Sequence, residues 1–242
     1  MAKKVAHLSS LVTAYSEKGK SNVLSVQSQG LGIFNVRVQN RSGDALSAGI
    51  LRKLRSTDHA FYALNSSVYT EISISGSGTE IFDTTNNNGF LIQSTKKFHL
   101  VGMTVSTANG STAGVYAYKY WDGSAFQTVS TVEVPTDYKS TGDAYVVAIP
   151  DYDWTVGGPT GTNGSKFSLL IQHTTAPAAA VEIDDIWLGQ FLSFEDSLAD
   201  NSSMQIAMGQ APLEIEAGEG LFPYFGTAAA GNLMEVFYEP IG

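Results

Sequence analysis

Apolar and polar residues alternate with a period of two through much of this chain. In Ile33-Phe34-Asn35-Val36-Arg37-Val38-Gln39, Val36 and Val38 stand between polar neighbours after an apolar pair, the pattern of a half-buried strand. Val68-Tyr69-Thr70-Glu71-Ile72-Ser73-Ile74 repeats it, and Phe98–Val105 reads as another strand. Asn87-Asn88-Gly89 is a turn signal ahead of Phe90-Leu91-Ile92. Val115-Tyr116-Ala117-Tyr118-Lys119-Tyr120-Trp121 alternates and is rich in aromatics, Asp122-Gly123 is a strong two-residue turn, and Ala125–Val129 returns. Further strands are predicted over 144–149, 167–173, 181–192, 204–207 and 233–238.

Helix signals are few. Residues 45–55 fit either a short helix or a strand after Gly49, and 194–203 accommodate a turn of helix. Residues 157–164, rich in Gly and Thr, read as a loop. Many short strands with regular turn signals predict an all-β fold, an antiparallel β-sandwich or jelly roll, with a smaller N-terminal β part. A chain of 242 residues accommodates one large sandwich or two smaller β-domains. The division expected is a basic N-terminal region or docking arm over 1–94 and an acidic β-sandwich domain over 95–242.

Composition changes this picture little. A charged fraction of 15% with 24 glycines suits strands joined by tight turns rather than disorder. No apolar run approaches the ~20 residues a membrane span needs, so no membrane partner is expected. Lys3 and Lys4 are followed by no apolar stretch, so no secretory signal is expected. The five Asn-x-Ser sites, at Asn40, Asn65, Asn109, Asn163 and Asn201, then read as chance in a Ser- and Asn-rich chain. The absence of cysteine excludes disulfides, thiolate metal sites and cysteine nucleophiles, and fits synthesis in a reducing cytoplasm.

Charge adds an asymmetry. The net charge is −9, but residues 1–55 hold nine of the fourteen basic side chains and only two acids, Glu17 and Asp44, for +7. The remainder carries −16, and no Lys or Arg follows Lys166. Such a split points to a docking surface of one sign and an exposed surface of the other. The alternative is that these charges line strand faces that fold beside acidic ones. The candidate interface residues are Lys3, Lys4, Lys18, Lys20, Arg52, Lys53 and Arg55. Nucleic acid is not the expected partner, because the whole-chain charge opposes it and no aromatic-basic signature is present.

Motifs for a reaction fail on spacing. Gly19-Lys20-Ser21 resembles the end of a phosphate-binding loop, but position 14 is alanine where a glycine is required. Gly43-Asp44-Ala45-Leu46-Ser47 has its serine in the wrong place for an esterase. His7, His59, His99 and His173 are scattered without metal-ligand spacing. The carboxylate pairs Asp151/Asp153, Asp184/Asp185 and Glu195/Asp196 have the ligand type of calcium sites but no Asp-x-Asp-x-Asp-Gly loop. No enzyme activity, cofactor or metal is expected. Trp187, in an apolar run, reads as core. Tyr118, Tyr120, Tyr152 and the tryptophans are of the type that stacks on sugar rings; Trp121 and Trp154, which flank turns, read as core first, and Tyr120, Trp121 and Trp154 form the stacking set of the alternative reading.

Three segments carry a resemblance. Tyr120-Trp121-Asp122-Gly123-Ser124-Ala125-Phe126 resembles the "WxGsaW" hairpin of β-sandwich modules in phage virion proteins, with Phe126 where the pattern has Trp. Ile149-Pro150-Asp151-Tyr152-Asp153-Trp154 resembles the "P.DW" segment that follows it there, one residue longer than usual. Phe167–Ile171 and Thr174-Thr175-Ala176-Pro177 resemble the next strand and turn. The resemblance covers about residues 97–192. It implies a non-enzymatic phage structural protein located in the virion and made in the host cytoplasm. The most direct expectation is a capsid-associated decoration protein docking on the major capsid protein or other virion proteins, as a homo-oligomer for which a trimer fits quasi-threefold positions. The alternative is a carbohydrate-binding tail, baseplate or fibre component using Tyr120, Trp121 and Trp154.

Overall fold

A computed structural model describes residues 6–12, 24–25, 30–108, 114–136, 138, 140–207, 212–226 and 232–240. The described residues form an all-β fold whose only helical element is a single 3-10 turn, Ser56–Asp58. The strands β1 (Ala6–Val12), β2 (Leu24–Ser25), β3 (Leu31–Gln39) and β4 (Leu46–Lys53) come first. Then follow β5 (His59–Asn65), β6 (Val68–Ile72), β7 (Thr79–Phe82), β8 (Gly89–Ser94), β9 (Leu100–Thr107), β10 (Val115–Trp121) and β11 (Phe126–Thr128). The last are β12 (Thr131–Thr136), β13 (Gly142–Ile149), β14 (Phe167–Thr175), β15 (Val181–Leu198), β16 (Ser203–Ala207), β17 (Leu213–Ile215), β18 (Gly220–Phe225) and β19 (Asn232–Pro240). Every strand pair described is antiparallel.

The chain forms two compact units, one of residues 1–55 with 189–242 and the other of 56–188. The boundary expected at residue 94 falls inside the second unit, at the end of β8. The physical reason is strand pairing: β8 hydrogen-bonds β14 and β5, tying 59–65 and 89–94 to 167–175. The N-terminal strands instead find their partners at the far end of the chain. β1 and β3 both pair with β19, and β4 pairs with β18 and the distal half of β15.

In the first unit, β3 lies between β19 on one side and β16 and β17 on the other. The alternation read in β3 holds, with Val36 and Val38 fully buried. Ile33 joins the same face because Phe34 is an extra residue opposite the Phe237/Tyr238 step of β19, and this bulge resets the parity. Ile33, Val36 and Val38 meet Met234 and Val236 of β19, and they pack on Ala48 and Ile50 of β4 and on Leu221 and Phe225 of β18. The core therefore lies between two sheets, as in a sandwich. Residues 45–55, ambiguous in sequence, form strand β4 because both faces are covered from Leu46 to Leu51. Buried Asn40 closes the turn after β3: its amide donates to the carbonyls of Asp44 and Leu198, both at 2.8 Å, and its oxygen accepts from Ser42.

In the second unit, a six-stranded sheet runs in the order β11-β10-β14-β8-β5-β6. The partner strands β12, β13, β9, the first half of β15 and β7 supply the other layer. Aromatic rings fill part of the core. Phe82 of β7 lies 6.4 Å from Phe90 of β8, 4.9 Å from Tyr116 and 5.2 Å from Tyr138. Trp187 is core, 5% exposed. Its indole occupies the space above Gly102, where a Cβ would stand 2.1 Å from the ring.

Candidate functional site

The basic residues singled out as a docking set are placed as follows. Lys3, Lys4, Lys18 and Lys20 lie outside the described residues. Arg52, Lys53 and Arg55 lie at the end of β4 and just after it. The Arg52 Nε donates to Glu219 at 2.9 Å, and its guanidinium also donates to the Glu214 carbonyl. The Glu219 side chain is fully buried. Arg55 pairs with Glu216 at 3.0 Å. Arg37 and Glu235, on paired strands β3 and β19, stand 3.7 Å apart. Two of the candidate docking cations are thus held by carboxylates of the last quarter of the chain, within the same unit. The charge asymmetry along the sequence is not an asymmetry of that unit. Residues 189–242 bring eight acids and no base to the +7 of residues 1–55, so the first unit carries −1 and the second −8.

The three segments that carry the resemblance converge. Asp122 shapes the hairpin: its carboxylate accepts from the backbone N–H groups of Ser124 (2.7 Å) and Ala125 (2.8 Å) and from Gln127 (2.7 Å). The Ala125 and Ser124 amides hold its carboxyl well below the usual carboxylate range. Gly123 takes φ +108°, where a side chain would be strained. The Thr155 amide donates to the Trp121 carbonyl at 3.1 Å, and Gly157 lies against the Trp121 indole. The Trp154 Nε1 donates to the Ser168 carbonyl at 3.1 Å, and its ring meets Phe98 and Phe167 edge-on at 5.3 and 5.6 Å. The Tyr120 hydroxyl donates to Asp153 at 2.7 Å. That bond, together with burial and the neighbouring carboxylates, pushes the phenol far above its ordinary pKa.

This geometry corrects the stacking set proposed for sugars. Tyr120 and Trp154 are each 2% exposed, so neither offers a ring face to a ligand. Trp121 is half-buried, with Phe126 edge-on at 5.2 Å. The exposed aromatic of the segment is Tyr152, at 97%. Asp151 and Asp153, weighed as calcium ligands, serve Tyr120, and Asp151 also accepts from Ser130 at 3.0 Å. Among the described residues no group of three or more His, Asp or Glu side chains is placed to hold a metal ion.

Among the described residues, two clefts of the second unit stand out. One, about 540 Å³, lies beside β5 and β6 and is lined by His59, Phe61, Glu71, Ser73 and Asp185, among others. The other, about 470 Å³, lies on the outer face of the six-stranded sheet. Sequence reading indicates neither the first cleft nor the second one. The residues of the second come from five separate segments whose adjacency depends on strand register. No protein-family model, no curated protein and no solved structure matches this chain.

Proposed function

We propose that this chain is a non-enzymatic structural component of a phage particle, capsid-associated and acting by binding. The observation that carries the reading is the convergence of the hairpin 120–126, the segment 150–154 and strand β14 into one hydrogen-bonded packing unit. The residues that resemble virion β-sandwich modules are the ones that hold this unit together, so they behave as a set with a shared structural cause. Docking on an acidic particle surface falls to Lys3, Lys4, Lys18 and Lys20, because Arg52 and Arg55 already hold Glu219 and Glu216. The attraction is electrostatic, so attachment weakens with added salt.

The test is particle occupancy. Reversing Lys3, Lys4, Lys18 and Lys20 to Glu together is expected to lower the number of copies per purified particle about tenfold, since several like charges then face the shell. Charge reversal is preferable to deleting residues 1–20, because the deletion removes β1 and its pairing with β19. Unchanged occupancy in the reversed variant would overturn docking through this segment. Failure of the wild-type chain to co-purify with particles would overturn the structural assignment itself.

A further inference from the structure

Strand register arranges the outer face of the six-stranded sheet. Lys119, Leu170, Leu91 and Tyr62 stand side by side across β10, β14, β8 and β5. Leu170, Leu91, Tyr62 and Leu64 are nearly or fully buried although this is the face away from the inner core. One end of the face is roofed by the segment 157–165. The Gln93 amide donates to the Asn163 carbonyl at 3.0 Å and accepts from the Asn163 N–H at 3.1 Å, while the Ser168 hydroxyl donates to the Gly157 carbonyl. The other end is open, and the cleft of about 470 Å³ lies there, within the range of small-ligand sites. Leu64 and Leu170 are among its lining residues, together with Tyr69 and Phe126.

The rim is built with unusual backbone. Four non-glycine residues among those described have positive φ, and three of them line this cleft: Ser66 at 49°, Ser67 at 71° and Asn87 at 67°. Ser66-Ser67 is the two-residue turn joining β5 to β6, a place where Asn-Gly is the low-energy choice. Strained residues of this kind persist where their surroundings over-determine them, and they cluster at binding sites. Here the surroundings do so. The Asn88 side chain accepts from the Ser66 N–H at 2.9 Å and donates to Asp83 at 2.7 Å. The Gln172 amide donates to the Asn87 carbonyl at 2.7 Å, and the Asn86 side chain accepts from the Ala176 N–H. The Ser66, Ser67 and Asn87 side chains themselves make no hydrogen bond to another described residue, so a rigid frame presents unused donors and acceptors.

Charge narrows the ligand. The second unit has thirteen carboxylates against five lysines. None of the residues lining the cleft is acidic, and the charged one among them is Lys119, whose Nζ is held by the Gln172 oxygen at 2.8 Å. An apolar floor with aromatic walls suits the C–H face of a pyranose, unused amide and hydroxyl groups suit its hydroxyls, and a fixed ammonium suits a carboxylate. We propose that this cleft binds a saccharide bearing a carboxylate, of the uronic or sialic acid type. Lys119 meets the carboxylate, Tyr69 and Phe126 meet the ring, and Ser66, Ser67 and Asn87 meet the hydroxyls. The site is independent of docking on a particle.

The test is titration calorimetry of the full chain with a glucuronate-containing disaccharide and with sialyllactose, against lactose as the neutral control. Saturable binding of at least one acidic probe, tighter than lactose, is expected. Lys119→Met is expected to weaken acidic binding about tenfold. Asn87→Gly removes a side chain from a position that glycine adopts without strain, so the fold is retained or stabilised while affinity falls about tenfold. No binding of either acidic probe at millimolar concentration overturns the proposal. So does unchanged affinity in both variants, and lactose bound as tightly as both acidic probes overturns the role of Lys119.

Discussion

At the scale of single residues, the aromatics show what the sequence carries and what it hides. Trp121, Asp122-Gly123 and Trp154 are visible as a motif, because a turn needs particular residue types at fixed spacing. Their roles are not visible. Whether a tryptophan beside a turn faces solvent or core depends on what lies over it, and for Trp154 that is Phe98 and Phe167, 56 residues before and 13 after it in the chain. Its polar atom reports the outcome, since the indole N–H is spent on the Ser168 carbonyl inside the protein. Trp154→Phe keeps an aromatic ring and removes that donor, leaving a buried carbonyl unpaired. A loss of about 1–3 kcal/mol is expected, read as a lower urea midpoint. An unchanged midpoint would mean that the hydrogen bond contributes nothing.

At the scale of elements, alternation located the strands that are covered on one face. β3 appears as read once its bulge is allowed for, whereas the segment read as a half-buried strand over 68–74 forms β6 only over Val68–Ile72, with no position buried and Val68 62% exposed. Strands covered on both faces were harder to see. β8, Gly89–Ser94, is buried at every position, and β18, Gly-Leu-Phe-Pro-Tyr-Phe, is likewise buried throughout and contains a proline. Proline argues against an interior strand. Pro223 pairs with Ile50 of β4, and among the described residues β2 on the other side pairs with Gly220 and Leu221. The pairing of β4 with β18 also brings Arg52 to Glu219, and this is where the docking set and the fold compete for the same residue. Removing one partner of a buried pair leaves the other uncompensated. Glu219→Gln is therefore expected to cost on the order of 3 kcal/mol. Part of this should return in Arg52→Gln/Glu219→Gln, where two neutral amides can bond each other. Chemical denaturation of the three variants checks this double-mutant cycle, and a coupling near zero would return Arg52 to the pool of cations free to dock.

At the scale of the whole molecule, charge read along the chain misleads because antiparallel topology returns the C-terminus to the N-terminal strands. A split of +7 and −16 becomes −1 and −8 in the folded units, and no local pattern announces that regrouping. The second unit also contains two histidines, His59 and His99, that burial pushes down to about 4 from an ordinary 6.5. For His59 the nearby Asp58 charge works in the opposite direction, but loss of hydration outweighs it. The unfolded chain therefore binds more protons than the folded one between pH 6.5 and pH 4. Stability is complete above pH 6.5 and declines as pH falls through that window, by up to about 3 kcal/mol for each histidine. Acid also reduces the −8 of this unit and eases its self-repulsion, an effect that salt screens beyond about 8 Å at 0.15 M. Burial of the imidazoles should win, because it is local and poorly screened. The urea midpoint of the wild-type chain is expected to fall between pH 7 and pH 4.5. The difference between the two midpoints should shrink in His59→Phe/His99→Phe, whatever the absolute stability of that variant. A wild-type midpoint that is equal at both pH values, or a pH dependence undiminished in the double variant, would show that the acid sensitivity does not reside in these two side chains.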